Sequence, residues 1–323
     1  EEKNIERCIL SLVHQNYPKD SYEIIVINDR SVDATEEIIN DIVKKYPIVK
    51  LLSIKELSSN LPPKKNALNE GIKKSKHDIL AFTDADSFVP PQWLREVSKA
   101  FTSNVGVVAG YSPFEEKFSL TTKIDWGDLF LRYEELKNSL GAAAGIALGN
   151  AYMCTGRNFA YRKSIFERVG GYEKIKHSIS GDDDLFIQLV QKKIGCGMRY
   201  LTSPESFVTT KPPRTIQQFI NQRKRHFSAG KYYPLRMKII FSLLHSFNAL
   251  ALFSLLLFPL FGIGILVLKL FVDWQLMKAG TTIFGNTELL KSFVPLEILF
   301  VLYNLLIGPL GFIGQFEWKE TRS

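Results

Sequence analysis

Cysteine is scarce in this chain: Cys8, Cys154 and Cys196 are the only three in 323 residues. They are scattered, with no CxxC and no Cys/His spacing suited to a metal. This argues against a disulfide framework or a zinc-ribbon site and leaves reduced, cytosolic thiols. A basic stripe interleaved with aromatics is also missing, although the formal net charge is +8. Many basic residues instead gather at Arg214, Arg223, Lys224, Arg225, Lys231, Arg236 and Lys238, just before a hydrophobic region. That placement indicates a membrane surface rather than nucleic acid. The third absence is of charge itself: Ile239 to Leu268 holds no Asp, Glu, Lys or Arg. The chain opens on Glu1 with neither Met nor signal peptide, and its first readable element, Asn4 to Val13, is already a helix. An upstream segment is therefore expected.

As one helix, Ile239 to Leu268 would be ~45 Å long, against a bilayer core of ~30 Å. Pro259 and Gly262 mark a break, so helices are expected at 239–258 and 261–279, with a third at 292–315. Lys269 and Asp273 weaken the second as a membrane span, and Glu297 is the one charge in the third. Upstream, strand-like runs alternate with helices. Glu23–Ile27, Val49–Ile54, Ile79–Phe82 and Val105–Ala109 read as strands. Asp33-Ala34-Thr35-Glu36 resembles a capping box opening a helix to Lys45, and Pro62-Pro63 and Pro90-Pro91 open two more. Strand, loop and helix in repetition imply an α/β fold with a mostly parallel sheet flanked by helices. Residues 121–148 read as a helix followed by a small-residue loop at Gly141–Gly145, and Thr215–Gly230 as an amphipathic helix. The latter suits either a membrane interface or the surface of the soluble part. Two parts follow: a catalytic domain at 1–230 and a membrane region at 231–323.

Ligands of such sheets bind beyond the carboxyl ends of strands. Asp29 and Asp84-Ala85-Asp86 both stand at such ends. By itself the second is also what a solvated turn looks like. Carboxylates at i and i+2 can share a hard divalent cation, which would neutralise a leaving diphosphate. Asp182-Asp183-Asp184 could be helix N-terminal acids, but three in a row exceed what capping needs. Crowded carboxylates raise one another's pKa, which suits a general base. Beside a membrane region, the two clusters suggest metal-assisted transfer from a phosphate-bearing donor at a membrane surface.

In this order the motifs resemble a known family. Asn28-Asp29-Arg30-Ser31-Val32-Asp33-Ala34-Thr35 is similar to the DDxSxDxT block of family 2 glycosyltransferases. Lys65 to Ile72 resembles their K-x-x-A-L-N-x-G helix, and Thr83 to Asp86 their TDAD. Thr155 to Arg162 with Gly170-Gly171-Tyr172 resembles the G-x-N-x-A-x-R … GG-Y/F block of the acceptor half. Gly181-Asp182 stands at the position of the ED base, and Gln222-x-x-Arg225-His226 at that of QxxRW. The resemblance covers about residues 1–230 and extends to membrane-anchored members of ceramide glucosyltransferase-like and polysaccharide-synthase-like type.

The resemblance implies a GT-A fold and an inverting hexosyl transfer. A UDP- or GDP-linked sugar would be bound by Asp29, Lys65, Asp84, Asp86 and Arg225, with Mg²⁺ or Mn²⁺ on Asp84 and Asp86. Asp182 or Asp183 would deprotonate the acceptor, and Gly156, Asn158, Gln222 and His226 would lie on the acceptor side. It also implies a lipid, lipid-linked or glycan acceptor and a multi-pass inner-membrane protein whose catalytic domain faces the cytoplasm. Alternatives are a processive polysaccharide synthase and an inactive nucleotide-binding membrane scaffold. Three departures stand out: the family's first strand would precede Glu1, the Glu of ED is Gly181, and the Trp of QxxRW is His226.

Overall fold

The computed structural model describes residues 1–56, 60–115, 125–311, 317–318 and 321–322. The chain forms two compact units, one of residues 1–115 and 141–211, the other of 116–140 and 212–323.

In the first unit, α1 (Ile5–Val13) buries Ile5, Cys8, Ile9 and Val13, a single helical face. Strand β1 (Ile24–Asp29) pairs in parallel with β2 (Val49–Ile54), Ile24 opposite Val49 and Asp29 opposite Ile54. Helix α2 (Thr35–Lys45) makes the crossover. Ile5, Ile9, Val13, Ile24, Ile39, Ile42 and Val49 close this part of the core. The expected capping box is not formed. Asp33 accepts from the Thr35 amide (3.2 Å) and hydroxyl (2.5 Å). Glu36 accepts from Asn28 and Ser53, each at 2.7 Å, so its carboxylate braces the strand ends instead of the helix start.

Helix α3 (Pro63–Lys74) leads to β3 (Ile79–Phe82) and the short β4 (Ser87–Phe88). Helix α4 (Trp93–Ala100) precedes β5 (Val105–Gly110), every residue of which is buried, as befits a strand covered on both faces. After α5 (Trp126–Ala147) come β6 (Phe159–Arg162), α6 (Lys163–Val169), α7 (Asp184–Lys193), β7 (Gly197–Leu201) and β8 (Thr209–Thr210). The main sheet has the order β3-β6-β5-β7. It is mixed rather than mostly parallel: β5 and β7 are parallel, but β6 runs against both its neighbours. The chain enters β6 at Phe159, opposite Phe82 at the end of β3, and so must run back along it. Strand β8 pairs with β4.

The small-residue stretch at 141–145 is helix, not loop. A Cβ at Gly141 would lie 2.6 Å from the Tyr152 hydroxyl, and one at Gly145 3.0 Å from its ring. These glycines cost the helix roughly 1 kcal/mol each; the close seat of the tyrosine is what they allow.

In the second unit, α8 (Ile216–Ser228) is capped by Thr215, whose Oγ accepts from the Gln218 amide at 3.1 Å. Phe219 and Phe227 face Tyr303, with ring centroids 5.7 and 6.1 Å away, so much of the apolar side of α8 is turned inward within this unit. Arg223 is buried on Glu134, which also accepts from the Tyr303 hydroxyl at 3.2 Å.

Three apolar helices follow: α9 (Leu235–Leu257), α10 (Pro259–Phe284) and α11 (Phe293–Ile307). The break falls at Pro259 as expected; α9 starts earlier than the expected 239 and ends at Leu257, and α10 exceeds the expected 261–279 at both ends. Residues 312–315 of the expected third helix lie outside the described residues. The stretches 235–257, 259–284 and 287–311 are long and apolar enough to cross a membrane. Lys269, Asp273 and Glu297 are paired within this unit. Lys269 donates to Asp273 (2.5 Å) and to one oxygen of Glu297 (2.8 Å). The other Glu297 oxygen accepts from Lys137 (2.6 Å) and the Tyr133 hydroxyl (2.5 Å) of α5. Turning these groups inward removes the objection they raised to α10 as a span.

Candidate active site

The loop after β1 is shaped by its own polar side chains. Asn28 is buried, and its Oδ1 accepts from the Ser31 amide at 3.3 Å. Arg30 adopts a left-handed backbone (φ 57°) and pairs with Asp29 at 2.8 Å. A non-glycine residue there stores roughly 1–2 kcal/mol, which the flanking hydrogen bonds hold in place.

Asp84 and Asp86 occupy the turn between β3 and β4. Burial, then the neighbouring Asp84 carboxylate, push the Asp86 carboxyl above its usual range, with the Arg157 guanidinium opposing. Behind them the Cys8 thiol donates to the Asp84 carbonyl (3.4 Å). Burial, Asp86 and Asp84 raise this thiol to about 12, so it is inert as a nucleophile. Lys64 at the start of α3 approaches Asp84 at 3.4 Å and Asp182 at 3.0 Å. One ammonium thus joins the two acidic clusters that the sequence keeps a hundred residues apart. Lys64 was not singled out from the sequence; its signal was the K-x-x-A-L-N-x-G spacing, which counted back from Ala67-Leu68-Asn69 falls on Lys64 and not on Lys65.

The three acids at the start of α7 divide their work. Asp184 accepts from the Cys154 amide (2.9 Å). Asp183, the N-cap of α7, accepts from the amides of Asp184 and Gly156, both at 2.8 Å. Burial and Asp182 raise the Asp183 carboxyl, with Lys64 opposing. Asp182 faces Lys64 instead, 3.6 Å from where a Cβ on Gly156 would stand. Of the pair expected to supply the base, Asp183 is committed to backbone amides and Asp182 to the Lys64 ammonium.

Other expected residues lie elsewhere. Lys65 is fully buried, and its ammonium donates to the carbonyls of Ser178 and Ser180. Asn158 is in the interior: its Oδ1 accepts from the Trp93 indole (2.9 Å), and its Nδ2 donates to the carbonyls of Tyr111 (2.8 Å) and Ser206 (2.9 Å). Its neighbour Arg157, not singled out from the sequence, is held by Ser112, Nε on the hydroxyl at 2.7 Å, with its charge felt at Asp86. Gln222, Arg225 and His226 are on α8 in the second unit; the Gln222 Oε1 is buried and has no hydrogen-bond partner among the described residues. Arg225 and His226 touch through Nη2 and Nε2 at 3.2 Å.

Among the described residues no three His, Cys, Asp or Glu side chains form a metal cage. The Asp84–Asp86 pair still fits a hard divalent cation. It offers only oxygen donors, its crowding is registered in the raised Asp86, and it has already drawn the Lys64 ammonium to 3.4 Å. One or two carboxylates completed by substrate phosphate is a usual setting for Mg²⁺.

Comparison with known proteins bears on the whole arrangement. A probable glycosyltransferase of Bacillus subtilis, YdaM, is 28% identical over 294 residues, which are 85% of this chain and 66% of that protein. A beta-monoglucosyldiacylglycerol synthase of Synechocystis is 32% identical over 192 residues, 58% of this chain and 38% of the synthase. The chain therefore spans two thirds or less of the length of these relatives. A mannosyltransferase from Pyrobaculum calidifontis, solved with GDP-Man and Mn²⁺, superimposes with a TM-score of 0.53 over 95% of this chain and 84% of its own. At 19% identity that likeness establishes the GT-A fold alone. The family model for glycosyl transferase family 2 matches residues 1–170, more than half of the chain, and the protein belongs to that family.

Proposed function

We propose that this protein is a membrane-held, metal-dependent, inverting hexosyltransferase. Its donor would be a UDP- or GDP-linked sugar, and its acceptor a hydroxyl of a lipid, a lipid-linked sugar or a glycan. The observation that carries the reading is the Lys64 ammonium shared between Asp84 and Asp182, which brings a diphosphate-side acid and a base-side acid to one place. Asp182 takes the proton from the acceptor hydroxyl. The hydroxyl oxygen attacks the anomeric carbon from the face opposite the diphosphate, and the bond from that carbon to the diphosphate oxygen breaks. Asp29 orients the nucleoside. Mg²⁺ or Mn²⁺ on Asp84 and Asp86 would supply charge neutralisation for that leaving group.

Residues 1–230 carry the chemistry in this reading, and the three apolar helices hold it at a bilayer with the catalytic side in the cytoplasm. The basic residues from Arg214 to Lys238 favour that orientation. A lipid acceptor is supported by the synthase relative, whose name specifies a glucosylated diacylglycerol. The test is nucleotide release in nanodiscs from a panel of nucleotide-sugars, with Mn²⁺ or EDTA and with membrane lipids as acceptors. Release from one donor, lost in EDTA and in Asp86→Ala, is expected. No release from any donor by folded protein would move the assignment to an inactive scaffold.

A further inference from the structure

Lys65 takes no part in the chemistry above, yet its side chain is fully buried in the first unit. A buried ammonium is costly unless it is well hydrogen-bonded. Here two of its donors go to the carbonyls of Ser178 and, at 2.8 Å, Ser180. Those residues lead directly into Asp182. Between them and the acid stands Gly181 (φ 77°), where a Cβ would meet Leu185 Cγ at 2.6 Å, so only glycine fits the turn. Downstream, Asp183 and Asp184 are tied to the amides of Gly156 and Cys154. Asp182 is thus bracketed by fixed points on both sides, and Lys65 supplies the upstream one.

We propose that Lys65 is a positioning residue: its ammonium clamps the 178–180 backbone so that Asp182 is presented to the acceptor hydroxyl. This rests on the transferase reading. The residue adjacent on α3, Lys64, reaches the Asp182 carboxylate itself, so one helix sets both the backbone and the charge of the base. The charged groups around Lys65 are Asp182, Asp183 and Lys64. Burial lowers the Lys65 ammonium to about 8, the two acids opposing and Lys64 assisting.

Two measurements test the clamp. Lys65→Met removes the buried charge and both donors together, effects that offset each other in global stability. Thermal unfolding should move little, while kcat falls about 100-fold with the donor KM within about twofold, as expected of a displaced base. Unchanged kcat, or a raised donor KM with kcat intact, overturns the proposal; the latter would make Lys65 a donor ligand. The second measurement needs no turnover. Hydrogen exchange of residues 176–184, corrected for the intrinsic rate, should show opening about tenfold more frequent in Lys65→Met than in the wild-type protein, with Lys65→Gln, which keeps a donor, in between. Equal opening in the wild type and in whichever of the two variants folds overturns the clamp. If no donor turns over but opening rises as described, the transferase reading fails and the clamp stands.

Discussion

Two clusters of charge, one in each unit, use the same residue types to opposite ends. Around Glu297 the account closes: both carboxylate oxygens take donors, from Lys269 on one side and from Lys137 and Tyr133 on the other. Around Asp84, Asp86 and Asp182 the acids crowd one another. One ammonium is stretched between two acids, and burial with a neighbouring carboxylate holds Asp86 above its usual range. A closed cluster fixes helices; an acid-rich one leaves room for a cation and for a proton in transit. On the proposed function, the contrast is that between a scaffold and a reactive centre.

The sharpest way to break the comparison is to neutralise one acid in each cluster. Asp182→Asn is expected to lower kcat by about 10³-fold, a typical contribution of a general base, with little loss of folding. Asp184→Asn keeps an oxygen for the Cys154 amide and should cost about tenfold or less. Donor turnover at saturating metal measures both, and equal losses would dissolve the division of labour among the three acids. Glu297→Gln should do the reverse. It leaves two lysines short of an anion in a buried setting, a loss of about 3–5 kcal/mol seen in thermal unfolding in detergent. The response of the remaining folded protein to Mn²⁺ should not change. Smallest is Arg30→Gly, which relieves the left-handed backbone at φ 57° and forfeits only a part-exposed pair with Asp29. Stability should rise by about 0.5–1 kcal/mol in the same unfolding experiment.

Much of this was legible in the sequence, because local patterns are set by local physics. Strand Val49–Ile54 was placed with the observed ends, and α3 and α10 begin at the second proline of Pro62-Pro63 and at Pro259. The acids at strand ends, Asp29, Asp84 and Asp86, follow from the α/β alternation itself. What escaped depended on partners far along the chain. The direction of β6 is set by which end of β3 the chain meets, not by the composition of Phe-Ala-Tyr-Arg. Gly141 to Gly145 looked like a loop because glycine disfavours helices, and only the distant Tyr152 explains the choice. The roles of Lys64 and Lys65 diverge for a geometric reason: neighbours on a helix point about 100° apart, so one reaches the acids and the other the core. Asn158 fits its motif but not its expected place, since Trp93, Tyr111 and Ser206 consume its amide.

The network around Glu297 also has an order in time. Tyr133 and Lys137 are synthesised well over a hundred residues before α10, Lys269 and Asp273 come next, and Glu297 is last. When Lys269 emerges, an acid of its own helix is four residues behind it. Glu297, the member that binds three donors, is made only when all three already exist. The most demanding charge in the apolar region thus never has to wait on the ribosome for its partners.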